Sequence, residues 1–241
     1  MAWNAQPSGG WLPSDPLAQE NMDEIYNMLY PEWTLTAICG MLGNMGDESG
    51  YNPWRWQGDR VGNNRGYGLV QYTPAVTHYD DQGRKRVGYI NGTGTGMEGF
   101  GSSYTGYAPN MSTSSVTGNI SDAHAQVLAI NANAGGKYAK RSGKYDCPYE
   151  DLSSVSTYAQ YKQCNDLWIA TLGWLFYYEQ PADKSYSVAQ SRFAKAVECW
   201  NHFTQDPPVP PTPPPPSPQK GQKPLYLYCC RKFREKRGLI T

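Results

Sequence analysis

In "GNMGDESGYNPWRWQ", residues 43 to 57, polar side chains follow an apolar run, and Glu48 among them stands where acid–base chemistry is feasible. The residues before it repeat at helical spacing, with Leu35, Ile38, Leu42 and Met45 on one face. Carried forward at ~100° per residue, Glu48 falls at the border of that stripe near Met41 and Met45, and Asp47 points to the opposite, wet side. A carboxyl at such a border loses hydration, which disfavours its charged form and raises its pKa. A group of this kind can keep a proton near neutral pH and deliver it to a leaving oxygen, the step glycoside cleavage requires. The competing reading is a surface carboxylate at a helix C-terminus, where the dipole disfavours negative charge.

The elements that must position Glu48 are legible from their ends. Ser14, Asp15 and Pro16 start a helix carrying Leu17, Ala18, Met22, Ile25 and Leu29, which stops before Pro31. Thr34 is the expected N-cap of the helix leading to Glu48. Gly40 and Gly43 lie inside that helix, at about 1 kcal/mol each relative to alanine, so close approach of another backbone is the expected compensation and the helix is central. "GYGLVQYTP", residues 66 to 74, reads as a short strand or extended turn. Ser121 opens a stripe of Ala123, Val127, Ile130 and Ala134 that ends at Gly135 and Gly136. Helices are expected from about Asn165 to Gln180 and from Ser187 to Phe203, the last with Ala189, Phe193, Val197 and Trp200 inward. Glu179 shares a face with Trp168, Leu172 and Leu175, so it turns inward, and a structural pairing with an arginine, with Arg55, Arg60 and Arg65 as candidates, is favoured over direct catalysis.

The organisation that follows is an N-terminal arm at 1–13, a domain at 14–204 with a Gly/Ser/Thr-rich insertion at 92–119, a Pro-rich linker at 205–224 and a basic tail at 225–241. From Pro207 onward seven basic residues face one acidic residue, a net charge of +6, which leaves the rest of this neutral chain near −6. Such a tail attracts an anionic wall polymer or nucleic acid, or anchors the chain in a larger particle, unless it is simply solvated. The start "MAWNAQPSGG" lacks signal-peptide features, and the longest apolar run, "LWIATLGWLFYY", falls short of a bilayer span of roughly 20 residues. Six cysteines without a CxxC pair, and only three histidines, argue against a zinc site. Cys39 and Cys199 read as buried thiols, and Cys147 and Cys164 as a pair able to bridge in an oxidising compartment. No cofactor and no metal are expected.

"WTLTAICGMLGNMGDESGYNP" followed by "GYGLVQYTP" resembles the phage tail lysozyme family, including the lysozyme-like domain of podovirus tail-knob wall-degrading proteins. "DLWIATLGWLFYYEQPAD" and "AKAVECWNHF" resemble the end of that domain, so the likeness spreads from Trp33 to Phe203. It implies a mainly α, α+β lysozyme-like fold with a small β or turn region beside the cleft. It also implies cleavage of peptidoglycan glycan strands, with Glu48 matching the family's catalytic glutamate and Gln71 its polar cleft residue. Tyr67, Tyr72 and Thr73 would sit near Gln71, and Asp59 stands where many lysozymes place a second acid, unless it only caps a turn. Tyr51, Trp54, Trp56 and Tyr67 flank the acid as candidate platforms for sugar faces, whereas Trp33, Trp168, Trp174 and Trp200 lie in helical stripes and read as core.

The expected protein is therefore a virion-associated muralytic enzyme whose tail binds other phage tail proteins and which acts on the host wall during genome entry. Three alternatives stay open: a lytic transglycosylase, a free endolysin, and a tail module that binds wall glycan without cutting it.

Overall fold

The computed structural model describes residues 3–4, 9–53, 55–59, 65–79, 85–89, 106–107, 120–133, 136–140 and 146–204. Its architecture is mainly α with one small antiparallel sheet. The helices are α1 (Pro16–Leu29), α2 (Leu35–Glu48), α3 (Ile120–Asn131), α4 (Tyr158–Lys162), α5 (Leu167–Trp174) and α6 (Tyr186–Thr204). The sheet has the order β1 (Arg65–Tyr67), β2 (Tyr72–Tyr79), β3 (Lys85–Tyr89) and β4 (Gly106–Tyr107). "GYGLVQYTP" thus holds the end of β1, a tight turn and the start of β2, and the 92–119 insertion is described only at its two β4 residues. The linker and basic tail lie outside the described residues, as does Ala134.

Caps set the helix starts. Asp15 accepts from the Leu17 N–H at 2.9 Å, Thr34 from the Ala37 N–H at 3.1 Å, and Asp166 from the Ile169 N–H at 3.0 Å. The helix expected from Asn165 to Gln180 is α5 followed by a wider coil over Leu175–Glu179. There the Gln180 N–H reaches back five residues to the Leu175 carbonyl, at 2.9 Å, and Gln180 turns left-handed at φ 51°. Widened turns of this kind occur often at functional sites.

α2 is central, buried from Thr36 to Met45 and packed between α5 and α6. Its two glycines are the reason it fits. A Cβ on Gly40 would stand 2.6 Å from the Ala170 Cβ on α5, and one on Gly43 would stand 2.4 Å from the Arg192 carbonyl oxygen on α6. Gly43→Ala is expected to cost roughly 1–3 kcal/mol through overpacking and to lower activity, because α6 must retreat with Arg192. Thermal unfolding and rates on the same preparation check this; an unchanged midpoint would contradict the close approach.

Trp33, Trp168 and Trp174 are core residues, and Trp200 packs half-buried beside them. The inner face of α6 is rotated from the expected one: Ala189, Arg192, Ala196 and Cys199 are buried, while Phe193, Val197 and Trp200 flank them. Apolar periodicity misplaced that face because a buried cation sits on it. Cys39 and Cys199 are buried thiols, and Cys147 and Cys164 are also free thiols, so the possible bridge between them is absent. Among the described residues no helix is long and apolar enough to cross a membrane.

Candidate active site

Glu48 is the last residue of α2, and the chain reverses just beyond it. Its side chain is 21% exposed, and its Oε1 accepts from Arg192 Nη2 at 2.7 Å. Arg192 is itself buried, and its Nη1 donates to the Asn44 Oδ1 at 3.1 Å. Asn44 is locked in turn, its amide donating to the Gly40 and Thr171 carbonyls at 2.8 and 3.0 Å. The Glu48 carboxyl is therefore aimed by a chain of fixed groups reaching from α2 through α6 to α5. Asp47 is not the free, solvated charge its helical angle suggested: it pairs with Lys195 and lies 3.6 Å from Arg192 Nε. The two α6 cations offset a pair of carboxylates at a helix C-terminus, where the dipole alone opposes them.

Glu179 ends the widened turn, and its Oε1 accepts from the Trp174 Nε1–H at 2.8 Å. The residue keeps some exposed area, but protein closes around it. Burial, assisted by the Glu48 charge, pushes its carboxyl up to about 8, against the opposing pull of Lys137, Arg192 and the Trp174 bond. Lys137 stands close enough to act on both glutamates, and burial draws its ammonium downward. Its Nζ lies 4.9 Å from the Tyr72 ring centre and 5.3 Å from that of Tyr178, a cation over two aromatic faces. The Tyr178 hydroxyl donates to that of Tyr72 at 3.4 Å. Four ionisable side chains from four segments thus meet: one partly exposed carboxyl, one enclosed carboxyl and two basic groups.

The inward direction of Glu179 agrees with its helical spacing, but its partners differ from those expected. Its direct bond is to Trp174, and the arginine acting on it is Arg192; Arg65 instead donates to the Gln57 carbonyl at 3.1 Å, and Arg60 lies outside the described residues. Gln71 sits at the β1–β2 turn with φ 46°, and its Nε2 donates to the Arg55 and Gly68 carbonyls at 3.0 and 3.1 Å. Its amide nitrogen is committed to shaping that turn. Asp59 belongs to a single helical turn at Gln57–Asp59 and Thr73 to β2; both side chains, and all of Trp54, lie outside the described residues.

Tyr51, Tyr67 and Trp56 are fully buried, so the expectation that they offer faces to sugar is corrected, and Tyr72, expected beside Gln71, is buried as well. Tyr51 meets the Cys199 sulfur at 3.5 Å through its hydroxyl, and Trp56 packs on Tyr67 with ring centres 4.7 Å apart. Their polar neighbours implied a wet surface, whereas Tyr51 folds down onto α6 and Trp56 and Tyr67 bury their rings against each other. Buried Gln126 of α3 holds this region, accepting from the Leu69 N–H at 2.7 Å and donating to the Pro53 carbonyl at 2.8 Å. Reading the sequence missed Arg192, Lys137 and Asn44. Arg192 had one signal: Ala189, Ala196 and Cys199 surround it with the small residues that glycines on a neighbouring helix would meet.

Morphogenesis protein 1 of Bacillus phage B103 is 51% identical to this chain over 71 residues, a stretch covering 27% of this chain and 20% of that protein. A family model described as phage tail lysozyme matches residues 20–203, a span that takes in Glu48, Lys137, Glu179 and Arg192. The chain belongs to the phage tail lysozyme family.

Proposed function

We propose that this chain is a virion-associated glycoside hydrolase that cuts the glycan strand of peptidoglycan between N-acetylmuramic acid and N-acetylglucosamine, opening the wall for genome entry. The observation that carries this reading is the Glu48–Arg192 pair, a partly exposed carboxyl held in one direction by a buried guanidinium. Glu48 gives its proton to the glycosidic oxygen as the bond to the anomeric carbon breaks. Water then adds hydroxide to that carbon and returns a proton to Glu48. Arg192 aims the carboxyl before transfer and stabilises the carboxylate that transfer leaves. Gln71, Thr73 and Asp59 are the candidates for holding the water.

Burial, with the Glu48 charge nearby, holds a proton on Glu179. Glu179 keeps that proton up to about 8, so it stands neutral near Glu48 at neutral pH. A sugar covering Glu48 removes water from it and favours its neutral form. Attachment to other tail proteins through residues 225–241 is the role proposed for the basic tail from its charge.

The pH dependence has a definite sign. Glu179 moves from an ordinary 4.5 to about 8 on folding, so between those values the folded chain binds more protons than the unfolded chain, and stability falls as pH rises. Glu179→Gln keeps an acceptor for Trp174 without the titration. Its thermal midpoint is expected to be flatter across this window, and higher than wild type above it; a wild-type slope in the variant would contradict the assignment. This reverses what an arginine-paired structural glutamate would show.

Mass spectrometry of digested, purified peptidoglycan tests the function. Reducible ends support hydrolysis, 1,6-anhydro ends show transglycosylation, and uncut glycan leaves a binding module.

A further inference from the structure

The turn after Glu48 is unusual, and what holds it lies far back in the chain. Gly50 and Tyr51 are consecutive left-handed residues, at φ 57° and 61°. For tyrosine this conformation is disfavoured and persists only where surrounding structure imposes it. Three bonds from outside the turn do so. The Gly50 carbonyl accepts from the Trp11 N–H at 2.8 Å, and the Asn52 amide donates to the Gly9 carbonyl at 2.9 Å. The Tyr51 carbonyl accepts from the Asn21 amide at 2.8 Å, and Asn21 is fixed by accepting from the Asn4 N–H at 2.7 Å and donating to the Asn4 carbonyl at 2.8 Å.

The arm also meets the turn backbone to backbone. A Cβ on Gly10 would stand 2.3 Å from the Ser49 carbonyl oxygen and 2.6 Å from the Gly50 Cα. At the other end Trp3 is buried, its ring edge-on to His124 of α3 at 6.0 Å. These residues precede the segment matched to the family, which begins at residue 20. They are nonetheless fastened to the four residues that follow the catalytic candidate.

We propose that the N-terminal arm, through Asn4, Gly9, Gly10 and Trp11, is a positioning clamp that holds the strained turn after Glu48 and thereby the direction of its carboxyl. The inference rests on the proposed role of Glu48. Because productive geometry tolerates little displacement, loosening the clamp acts on the chemical step, not on sugar binding, which the arm does not reach in this account.

The test uses the full chain with Gly10→Ala, which forces arm and turn apart, and Trp3→Ala, which frees the arm at its distant anchor. Rates are measured on soluble peptidoglycan glycan chains, well below each variant's unfolding midpoint. The expected result is a kcat lower by about tenfold or more with KM within about twofold in both variants. If Gly10→Ala does not fold, Trp3→Ala decides. Wild-type kcat in the folded variants, even with a lower midpoint, makes the arm purely structural and overturns the clamp while leaving the role of Glu48 intact. A wild-type chain that leaves the glycan uncut overturns the functional reading and the clamp together.

Discussion

Glu48→Gln is expected to abolish release of fragments from purified peptidoglycan, a loss on the order of 10²-fold or more, with a change in stability of no more than roughly 1 kcal/mol. Gln retains an oxygen for Arg192 Nη2 at the 2.7 Å position but has no proton to give. The small stability change follows from two opposed terms. Neutralising residue 48 weakens its attraction to Arg192 and at the same time removes a negative charge from the C-terminal end of α2, where the helix dipole opposes it. Arg192 keeps Asn44 and the nearby Asp47 as partners. Activity loss measured by turbidity, beside the thermal midpoint, separates the chemical role from a structural one. A large loss of folding would make Glu48 part of the scaffold.

Arg192 is expected to show the opposite balance. Arg192→Ala leaves the Glu48 and Asp47 carboxylates and the Asn44 carboxamide facing an emptied, buried site. Removing one partner of a buried pair costs about 3–5 kcal/mol, which for a domain of this size lowers the midpoint by roughly 10 °C. Arg192→Lys separates charge from geometry: it supplies a cation but not the planar fork that contacts Glu48 and Asn44 together. That variant is expected to fold with a modest loss and to work about tenfold or more slowly, because the carboxyl is no longer aimed. Wild-type rates in Arg192→Lys would reduce the guanidinium to a counter-charge, and a wild-type midpoint in Arg192→Ala would show that the pair contributes little to the fold.

Much of this architecture is local, and local features can be read from sequence. Asp15, Thr34 and Asp166 announce helix starts because a short polar side chain satisfies amide groups only a few residues ahead. Gly40 and Gly43 announce a central helix because their cost in isolation implies a neighbour pressed against them. The fate of the aromatic residues after Glu48 is not local. Tyr51 is buried because Gly50 and Tyr51 turn left-handed and drive the chain back onto α6, and a polar neighbourhood carries no sign of that reversal.

The site divides in the same way. Glu48 was legible from its place on one helix and from the motif around it. Its partner Arg192 is 144 residues distant, so only the packing of α2 on α6 brings them together. For Glu179 the inward direction was visible and the consequence was not. Helical spacing suggested an arginine-paired carboxylate, whereas the widened turn places it beside Trp174, Lys137 and Glu48, where burial keeps it protonated up to about 8. A lone charge on an apolar face has an ambiguous meaning until its neighbours are known.

The central claim is that Glu48 delivers the proton that breaks the glycan strand. A side-by-side digest of purified peptidoglycan by wild type and Glu48→Gln, resolved by mass spectrometry after borohydride reduction, tests it directly. The account predicts new reducible saccharide ends with wild type and none with the folded variant. Equal release of such ends by both would contradict it.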